Sequence, residues 1–306
     1  MTDFLDALAG KTVVVTGGCG FVGSHLATAL SDVTDVRVLD DLSSGDADRL
    51  PPRVRFVRGD VRDRETVDRV LASADVVFHQ AGLVSVPESV RNPKQSHSVN
   101  ATGTVEVLEA ARRVDASVVL ASSAAVYGQP EEVPIPETHP KGPESPYALD
   151  KLVLDHYARL YADRYGLQTV ALRYFNVYGP DQSEAYAGVI ETFRTQARAG
   201  GPLTIHGDGT QTRDFVHVDD VVQANLAAAV RGTPGRAYNV GTGTSHSIND
   251  LADLVTRLVD RDLATEHTDE RAGDVDRSRA DVARARAELD FQPSVPLADG
   301  LTRLLA

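Results

Sequence analysis

The sequence predicts an α/β protein: a doubly wound parallel sheet with a smaller, interleaved C-terminal α/β domain. Three observations predict this fold. Short β-branched runs alternate with segments of helical period along the first half, a glycine-rich turn follows the first run, and the alternation loosens after Pro180. Strands that alternate with helices of this length form βαβ units, whose parallel sheet carries helices on both faces. We expect a first domain over residues 1–176 and a second over 177–306, with a segment near 214–244 returning to the first.

Each predicted element rests on its local pattern. The expected strands of the first half are runs rich in valine and threonine: Thr12–Thr16, Val36–Asp40, Val54–Val57, Val76–His79, Val118–Ser122 and Thr169–Tyr174. Helical spacing of apolar residues predicts helices between them, at Phe21–Leu30, Glu65–Ala72, Val99–Arg113 and Tyr147–Tyr165. In the second half we expect helices at Gly188–Ala199 and Asp219–Val230, an extended Leu203–His206, and two or three helices after Ser247. The apolar run Ala237–Val240 is expected to rejoin the parallel sheet.

The charge balance limits the class of partner. The 306 residues include 44 Asp and Glu against 31 Lys and Arg, a formal net charge of −13 with only four lysines. This argues against a nucleic-acid or anionic-membrane binder, since both need a basic face. Two interpretations of the acidity remain open. The favoured one is adaptation to a high-salt cytoplasm, and the other is a mildly acidic protein from a GC-rich genome.

No metal site, disulfide or membrane segment is expected. Cys19 is the single cysteine, and the nine histidines show no metal-ligand spacing. The N-terminus carries acidic residues where a signal peptide would carry positive charge, and no apolar run reaches about 20 residues. We therefore expect a cytoplasmic protein.

The glycine-rich turn predicts a dinucleotide site of the Rossmann type. Gly17, Gly20 and Gly23 follow the first strand and open the first helix. Small residues there let the backbone turn tightly and approach a pyrophosphate, which lies at the helix N-terminus. Asp40 ends the second strand 17 residues after Gly23, where a carboxylate would accept hydrogen bonds from the adenosine ribose. With Asp41 beside it, Asp40 would repel a 2′-phosphate, so NAD is favoured over NADP.

A second group of residues predicts proton transfer. Tyr147 and Lys151 lie four apart on one helix face, and Ser123 follows the strand that ends at Ser122. An ammonium one turn away, together with a positively charged nicotinamide, would bring the tyrosine pKa from about 10 towards neutrality. The serine can hydrogen-bond the same substrate hydroxyl, at the sheet edge where ligands bind in such folds.

Four segments together carry a family resemblance: Thr16–Gly23, Ser122–Gly128, Tyr147-x-x-x-Lys151 and Leu172–Pro180. They resemble the extended short-chain dehydrogenase/reductases, and within these the UDP-glucose 4-epimerases and related nucleotide-sugar epimerases. The resemblance implies a homodimer that would use helices Val99–Arg113 and Lys151–Tyr165. The apolar residues of these helices are equally consistent with a place in the core.

The resemblance also implies ligand contacts. The candidate NAD-binding residues are Gly17, Gly20, Phe21, Val22, Gly23, Asp40, Asp41, Leu42, Ser43, Asp60, Val61, Gln80, Ala81, Gly82, Leu83, Asn100, Ser122, Tyr147, Lys151 and Phe175. A nucleotide-sugar site is implied in the second half, with Asn176 near the diphosphate and Arg213 and Arg271 holding the phosphates. The other candidate substrate contacts are Ser123, Tyr147, Val189, His206, Asp274 and Ser278.

The activity that the resemblance implies is NAD-dependent 4-epimerisation of a UDP-sugar, such as UDP-glucose and UDP-galactose, by transient oxidation at C4. Dehydratases of this group carry Asp-Glu directly after the active Ser/Thr, and the decarboxylases carry a glutamate there, whereas this chain has Ala124 and Ala125. A 4,6-dehydratase, a decarboxylase, a 4-reductase and a catalytically silent NAD-binding sensor are the alternatives. Ser278 falls where some epimerases place a bulky tyrosine, which predicts that N-acetylated sugars are also accepted.

Overall fold

The strands of the chain follow the predicted order, with several short additions. In the computed structural model, which describes residues 1–182, 188–259, 261–271 and 273–305, the strands are β1 (Thr12–Thr16), β2 (Asp35–Asp40), β3 (Arg55–Arg58), β4 (Val76–His79), β5 (Ser117–Ser123), β6 (Thr169–Tyr174), β7 (Asn176–Tyr178), β8 (Leu203–His206), β9 (Thr212–Arg213), β10 (Phe215–His217), β11 (Ala237–Val240), β12 (His246–Ser247) and β13 (Thr265–Thr268).

The helices of the same residues lie before, between and after these strands. They are α1 (Thr2–Leu8), α2 (Phe21–Leu30), α3 (Arg64–Leu71), α4 (Val86–Arg91), α5 (Pro93–His97), α6 (Gly103–Val114), α7 (Pro146–Tyr165), α8 (Val189–Ala199), α9 (Val218–Arg231), α10 (Ile248–Leu258), α11 (Ala283–Leu289) and α12 (Leu297–Leu305). None of the helices in these described ranges is both long and apolar enough to cross a membrane.

The central sheet has seven strands among the described residues, in the order β11-β6-β5-β4-β1-β2-β3, and every neighbouring pair is parallel. The chain builds outwards from β1 in one direction and from β4 in the other, so the strand order reverses between these two strands. Ligands of doubly wound sheets bind at the carboxyl ends of the strands beside such a reversal. The prediction that Ala237–Val240 rejoins the sheet is confirmed, since β11 pairs with β6.

Alternating side chains of the strands supply two cores, one on each face of the sheet. On β1, Val13 and Val15 belong to the core under α2, α9 and α11, whereas Val14 belongs to the core under α3, α6 and α7. This is the period of two that a strand imposes on its side chains. All three valines are fully buried, as the apolar pattern of a strand covered on both faces requires.

A third core lies in the second half of the chain. Phe193 of α8, Leu251 of α10 and Leu301 of α12 pack together over β8. These helices cover a two-stranded parallel pair, β8 with β13. The smaller α/β unit is therefore present, while the exact division at residue 176 remains a prediction.

Two local expectations are corrected. The predicted helix Val99–Arg113 is interrupted by a π-helical turn at Ser98–Thr102, and α6 begins only at Gly103. Asn100 lies in this turn, and its side chain bonds the backbone of Leu83, which ties the turn to the loop after β4. The second correction is β13, a strand of four exposed polar residues, which carries no apolar alternation that could predict it.

Candidate active site

The glycine turn between β1 and α2 is closed tightly enough to require glycine. Gly17 has a φ of +67°, and a Cβ on it would lie 2.5 Å from the amide nitrogen of Ala81. A Cβ on Gly23 would lie 2.1 Å from the carbonyl oxygen of Gly17. Gly20 caps α2 and brings no side chain to its amide groups, so Phe21 and Val22 open an uncapped helix N-terminus. This cradle fits a pyrophosphate, which such helix ends bind.

Asp40 lies at the end of β2, nearly buried, and its carboxylate is tied to the glycine turn. Its Oδ2 accepts a hydrogen bond from the amide of Cys19 at 2.9 Å, and its Oδ1 accepts one from the amide of Leu42 at 2.8 Å. Burial raises the pKa of Asp40, and the two backbone donors oppose that rise. Asp41 is exposed beside it and accepts a bond from the amide of Ser43. The link from Asp40 to Cys19 is a contact that sequence reasoning missed.

The loop after β3 carries Asp60 and Val61. The Asp60 carboxylate accepts a hydrogen bond from the Arg62 guanidinium, Nε to Oδ1, at 2.9 Å, and this bond holds the pKa of Asp60 below its usual range. Val61 is buried in the second core. Arg62 is a partner that the predicted set of residues did not contain.

The loop after β4 joins the predicted residues Gln80, Ala81, Gly82 and Leu83 to the rest of the site. The Gln80 amide donates to Asn225 Oδ1 of α9 at 3.1 Å and accepts from the Tyr174 hydroxyl at 3.2 Å. Neither Asn225 nor Tyr174 was predicted from the sequence, because both act through a partner that is distant in the chain.

Asn100 connects this loop to the lysine of α7. Its Oδ1 accepts from the amide of Leu83 at 2.8 Å, and its Nδ2 donates to the carbonyl of Leu83 at 3.0 Å. A Cβ on Gly82 would lie 2.8 Å from Asn100 Oδ1 and 3.4 Å from Lys151 Nζ. The structure therefore brings Gly82, Leu83, Asn100 and Lys151 together, as the predicted set requires.

Helix α7 begins at a point set by its own sequence. Ser145 accepts a hydrogen bond from the amide of Ala148 at 3.1 Å, and Pro146 occupies the first helical position, where its missing donor costs nothing. The amide of Tyr147 donates to the hydroxyl of Ser89 in α4, at 3.2 Å. These contacts place Tyr147 in the first turn of α7, beside the end of β5.

The three candidate catalytic residues meet at the carboxyl edge of β5. The Ser123 side chain lies close enough to the Tyr147 hydroxyl to lower the pKa of the phenol. Lys151 is buried, its Nζ donates to the carbonyl of Ala121 at 2.7 Å, and the same Nζ lies 5.7 Å from the centroid of the Tyr147 ring. Ser122 is buried next to them and bonds the Lys151 carbonyl at 3.4 Å, and Phe175 packs nearby in a small core.

Burial has the largest effect on the pKa values of Tyr147 and Lys151. It raises the pKa of the Tyr147 hydroxyl, and the hydrogen bond from Ser123 opposes the rise. Burial also lowers the pKa of Lys151 to about 8, against the charges of Asp150 and Asp155. The predicted fall of the tyrosine pKa towards neutrality depends on Lys151 and the nicotinamide charge together, so it stays a prediction.

A cavity of about 420 Å³ in the second half of the chain collects part of the predicted substrate set, namely His206, Arg271 and Asp274. Arg213 is nearly buried beside it, and its guanidinium is ion-paired with Asp274. Sequence reasoning missed several polar residues of the lining: Asp208, Gln211, Glu270, Asp276 and Arg277. Gln211 lies two residues before the predicted Arg213, and Arg277 directly precedes the predicted Ser278. Nearness in the sequence to a predicted residue is the signal that could have identified both.

Besides Ser123, Tyr147 and Arg213, three more predicted substrate residues lie outside this lining. Asn176 is exposed on β7, where its backbone amide pairs with the carbonyl of Asp214 at 3.0 Å. Val189 begins α8 and packs against the third core. Ser278 is nearly buried, and its amide donates to the carbonyl of Thr212 at 3.0 Å, one residue before Arg213.

Comparison with known proteins agrees with this geometry. Residues 13–241 match the model of the NAD dependent epimerase/dehydratase family. The chain belongs to this family of enzymes. The predicted family, the fold class and NAD as the cofactor of the family are confirmed.

Members of the epimerase/dehydratase family with several activities are similar to the chain. It is 38% identical to a UDP-glucose 4-epimerase of Mycolicibacterium smegmatis over 300 residues, 95% of this chain and 96% of that protein. The structure of a UDP-N-acetylglucosamine 4-epimerase from Methanobrevibacter ruminantium M1 is 35% identical, with a TM-score of 0.93 over 97% of both chains. A dTDP-glucose 4,6-dehydratase from Streptomyces venezuelae, with NAD bound, is 32% identical, with a TM-score of 0.89 over 96% of this chain and 95% of that one.

Proposed function

We propose that the protein catalyses NAD-dependent 4-epimerisation of a UDP-sugar by transient oxidation at C4. The observation that carries this proposal is the meeting of Ser123, Tyr147 and the buried Lys151 at the carboxyl edge of the parallel sheet. The similarity to a UDP-glucose 4-epimerase and to a UDP-N-acetylglucosamine 4-epimerase supports it.

The residues of the first domain fit NAD. The glycine turn and the uncapped start of α2 would hold the pyrophosphate, and the Asp40 carboxylate would bind the ribose of the adenosine. Asp41 adds negative charge where NADP carries a phosphate, which favours NAD. When bound, NAD would accept a hydride from C4 of the sugar and return it to the opposite face.

The candidate catalytic residues would move the proton. Tyr147 takes the proton of the 4-hydroxyl group, and Ser123 holds that hydroxyl through a hydrogen bond. Because burial raises the pKa of Tyr147, the phenolate forms only where a positive charge lies beside it. Lys151 and the charge of the bound cofactor would supply this.

The second half of the chain would hold the nucleotide. Arg213 and Arg271 are the proposed phosphate ligands, and Arg277 joins them from the lining of the cavity. Arg213 is now paired with Asp274, so a diphosphate would replace that carboxylate as its acceptor. Guanidinium groups suit this exchange, since their forked geometry matches phosphate as well as carboxylate.

The expected homodimer remains a prediction. Leu149, Leu160 and Tyr165 of α7 are exposed apolar side chains that such an interface would cover.

The dehydratase is the second candidate, because the similarity to a 4,6-dehydratase is nearly as strong. Ala124 and Ala125 argue against it. They open a short helical turn directly after Ser123, where the dehydratases and decarboxylases carry acids, and alanine cannot transfer a proton. A 4-reductase and a silent NAD-binding sensor remain as alternatives.

The substitution Tyr147→Phe tests the proposed role of the phenol. We expect it to lower kcat by about 10²- to 10⁴-fold, the usual contribution of a positioned acid or base, while NAD binding is kept. The measurement is conversion of UDP-glucose to UDP-galactose, followed by NMR, with NAD affinity measured by calorimetry. If the native protein yields no UDP-galactose while Tyr147→Phe binds NAD normally, the sensor replaces the epimerase. A 4-keto-6-deoxy product would instead favour the dehydratase.

A further inference from the structure

A second cavity, of about 510 Å³, lies away from the cavity of the candidate active site. It is formed by the side of α7, the segment that precedes α7, β6, the loop before β11, and α11. Its charged lining is strongly basic. The side chains that carry charge are Lys141, Arg159, Arg173, Arg236, Arg284 and a single carboxylate, Asp155. This is unexpected in a chain with a net charge of −13.

Three of the five cations have carboxylate partners. Arg173 donates to Asp155 Oδ2 at 2.6 Å, Arg236 is paired with Glu288, and Arg284 lies 3.6 Å from Glu137 Oε2. The other two, Lys141 and Arg159, have no carboxylate within ion-pair distance among the described residues. Neither cation is therefore neutralised by an ion pair, and the carboxylates of Asp155 and Glu137 act on Lys141 only from a longer distance.

The Lys141 ammonium is held in place by neutral groups. It donates to the carbonyl of Glu137 at 2.9 Å and to that of His139, and it lies 4.8 Å from the centroid of the Tyr127 ring. Burial and the charge of Arg173 lower the pKa of Lys141 to about 8. An anion in the cavity would relieve both effects, since it supplies the missing opposite charge.

Asp155 supplies an acceptor. Its side chain is 5% exposed, its Oδ2 binds Arg173, and its Oδ1 is buried without a hydrogen-bond partner in the described structure. Unpaired buried polar atoms are rare in folded proteins. A ligand with a hydroxyl group or a protonated phosphate oxygen would satisfy it.

We propose that this cavity binds a phosphate-type dianion, either inorganic phosphate or a small phosphomonoester with a hydroxyl group. Lys141 and Arg159 supply the uncompensated charge, and Asp155 accepts the hydrogen bond of the ligand. The volume lies in the range of small-molecule sites. The site shares α7 with the candidate catalytic residues, since Asp155 and Arg159 follow Lys151 by one and two turns of the helix.

Titration calorimetry at constant ionic strength, with chloride as the balancing anion, tests the proposal. The probes are inorganic phosphate and glycerol 3-phosphate. We expect Arg159→Gln to weaken the binding of either probe by about tenfold or more, which corresponds to about 1.4 kcal/mol, and Arg159→Lys to restore most of it. Arg164→Gln removes an exposed arginine of the same helix outside the cavity lining and should bind as the native protein does. Tighter binding of glycerol 3-phosphate would identify the ester as the ligand class, and equal binding would identify inorganic phosphate.

Phosphate could also bind at the candidate substrate site, and Arg271→Gln separates the two sites. The proposal predicts that Arg271→Gln keeps the binding that Arg159→Gln loses. The opposite result, or no binding of either probe to the native protein, overturns it. Thermal melts of each variant show that the fold is kept.

The protonation of Lys141 provides an independent test with glycerol 3-phosphate, which keeps its hydroxyl donors at every pH and has a second phosphate pKa of about 6. The groups that face Lys141 are Arg173 of β6, Asp155 of α7, Arg284 of α11, and Glu137, His139 and Tyr127 of the preceding segment. Because Lys141 loses its proton near pH 8, glycerol 3-phosphate should bind more weakly at pH 9 than at pH 7. Lys141→Arg, which stays charged, should remove that difference. Equal pH dependence in both proteins would contradict the role of Lys141.

Discussion

His79 lies at the end of β4 between two hydroxyl groups, and it is fully enclosed. Its Nδ1 is 2.7 Å from Thr16 Oγ1, and its Nε2 is 2.9 Å from Thr104 Oγ1. Burial, helped by the charge of Lys151, lowers the pKa of His79 from 6.5 to about 3. The folded protein therefore keeps this imidazole neutral at a pH where the unfolded chain protonates it.

We expect His79 to make the protein less stable as the pH falls. The unfolded state binds the proton near pH 6.5 and the folded state only near 3, so stability is lost from about pH 6.5 downwards. At pH 5 the loss is about 2 kcal/mol. His79→Gln should lose about that much less than the native protein between pH 7 and pH 5, measured by urea unfolding. The same pH dependence in both proteins would show that the imidazole is charged in the fold.

Ser278 is the residue on which the predicted substrate breadth depends. It is 9% exposed and lies beside the strand that carries Arg213. We expect Ser278→Tyr to lower kcat/KM for UDP-N-acetylglucosamine more than for UDP-glucose, by about tenfold or more, as a filled pocket does. Ser278→Ala is the control and should leave the ratio unchanged. An equal fall on both sugars would mean that the tyrosine disturbs the fold and not the selection of substrate.

The sequence predicts the local conformation around individual candidate residues where a short motif requires it. Gly17, Gly23 and Tyr147 belong to short motifs whose spacing follows from a turn or from a helix face. Asn225, Arg277 and the amide of Cys19 do not, because each meets its partner only after distant segments have packed. The direction of the pKa shift of Tyr147 could not be predicted from residue spacing either, because it depends on how deeply the phenol is buried.

At the scale of elements, the unit β1–turn–α2 depends on one close approach. A methyl group on Gly23 would lie 2.1 Å from the Gly17 carbonyl and 2.7 Å from Gly18 Cα. We expect Gly23→Ala to destabilise the fold by about 1–3 kcal/mol, as overpacking does, and to weaken NAD binding severely. Urea unfolding and NAD titration measure the two effects.

Gly201→Ala is the matched control for that substitution. Its added methyl group would meet nothing closer than the Gln196 carbonyl at 3.9 Å, so stability and NAD binding should be unchanged. If Gly23→Ala also left stability and NAD binding unchanged, the close packing of the glycine turn would not be needed for the fold or for NAD binding.

Elements with a strong apolar period were predicted to within one or two residues, as α2 and β6 show. The failures have physical causes. The π-helical turn at Ser98–Thr102 depends on the bond from Asn100 to Leu83, which is a tertiary contact. Strand β13 is polar throughout and gains its conformation only from pairing with β8.

For the whole molecule, the charge of −13 predicts a response to salt. Like charges on the surface repel one another at low ionic strength, and salt shortens the range of that repulsion from about 10 Å at 0.1 M to about 3 Å at 1 M. We expect the melting temperature and the activity to rise with KCl concentration. Calorimetric melts and initial rates measure both effects. Sucrose of equal osmolality is the control. If sucrose raised the melting temperature and the activity as much as KCl does, the cause would be exclusion of cosolute from the protein surface and not charge screening.

The outermost position of β11 sets the order in which a growing chain can fold. Its partner β6 ends at Tyr174, whereas β11 begins at Ala237. During synthesis the first six strands leave the ribosome while one edge of β6 is still unpaired. Helix α9, which packs on one face of the central sheet, is synthesised after them. Unpaired strand edges are sites of aggregation. The seven-stranded central sheet can therefore be completed only after more than two thirds of the chain has been translated.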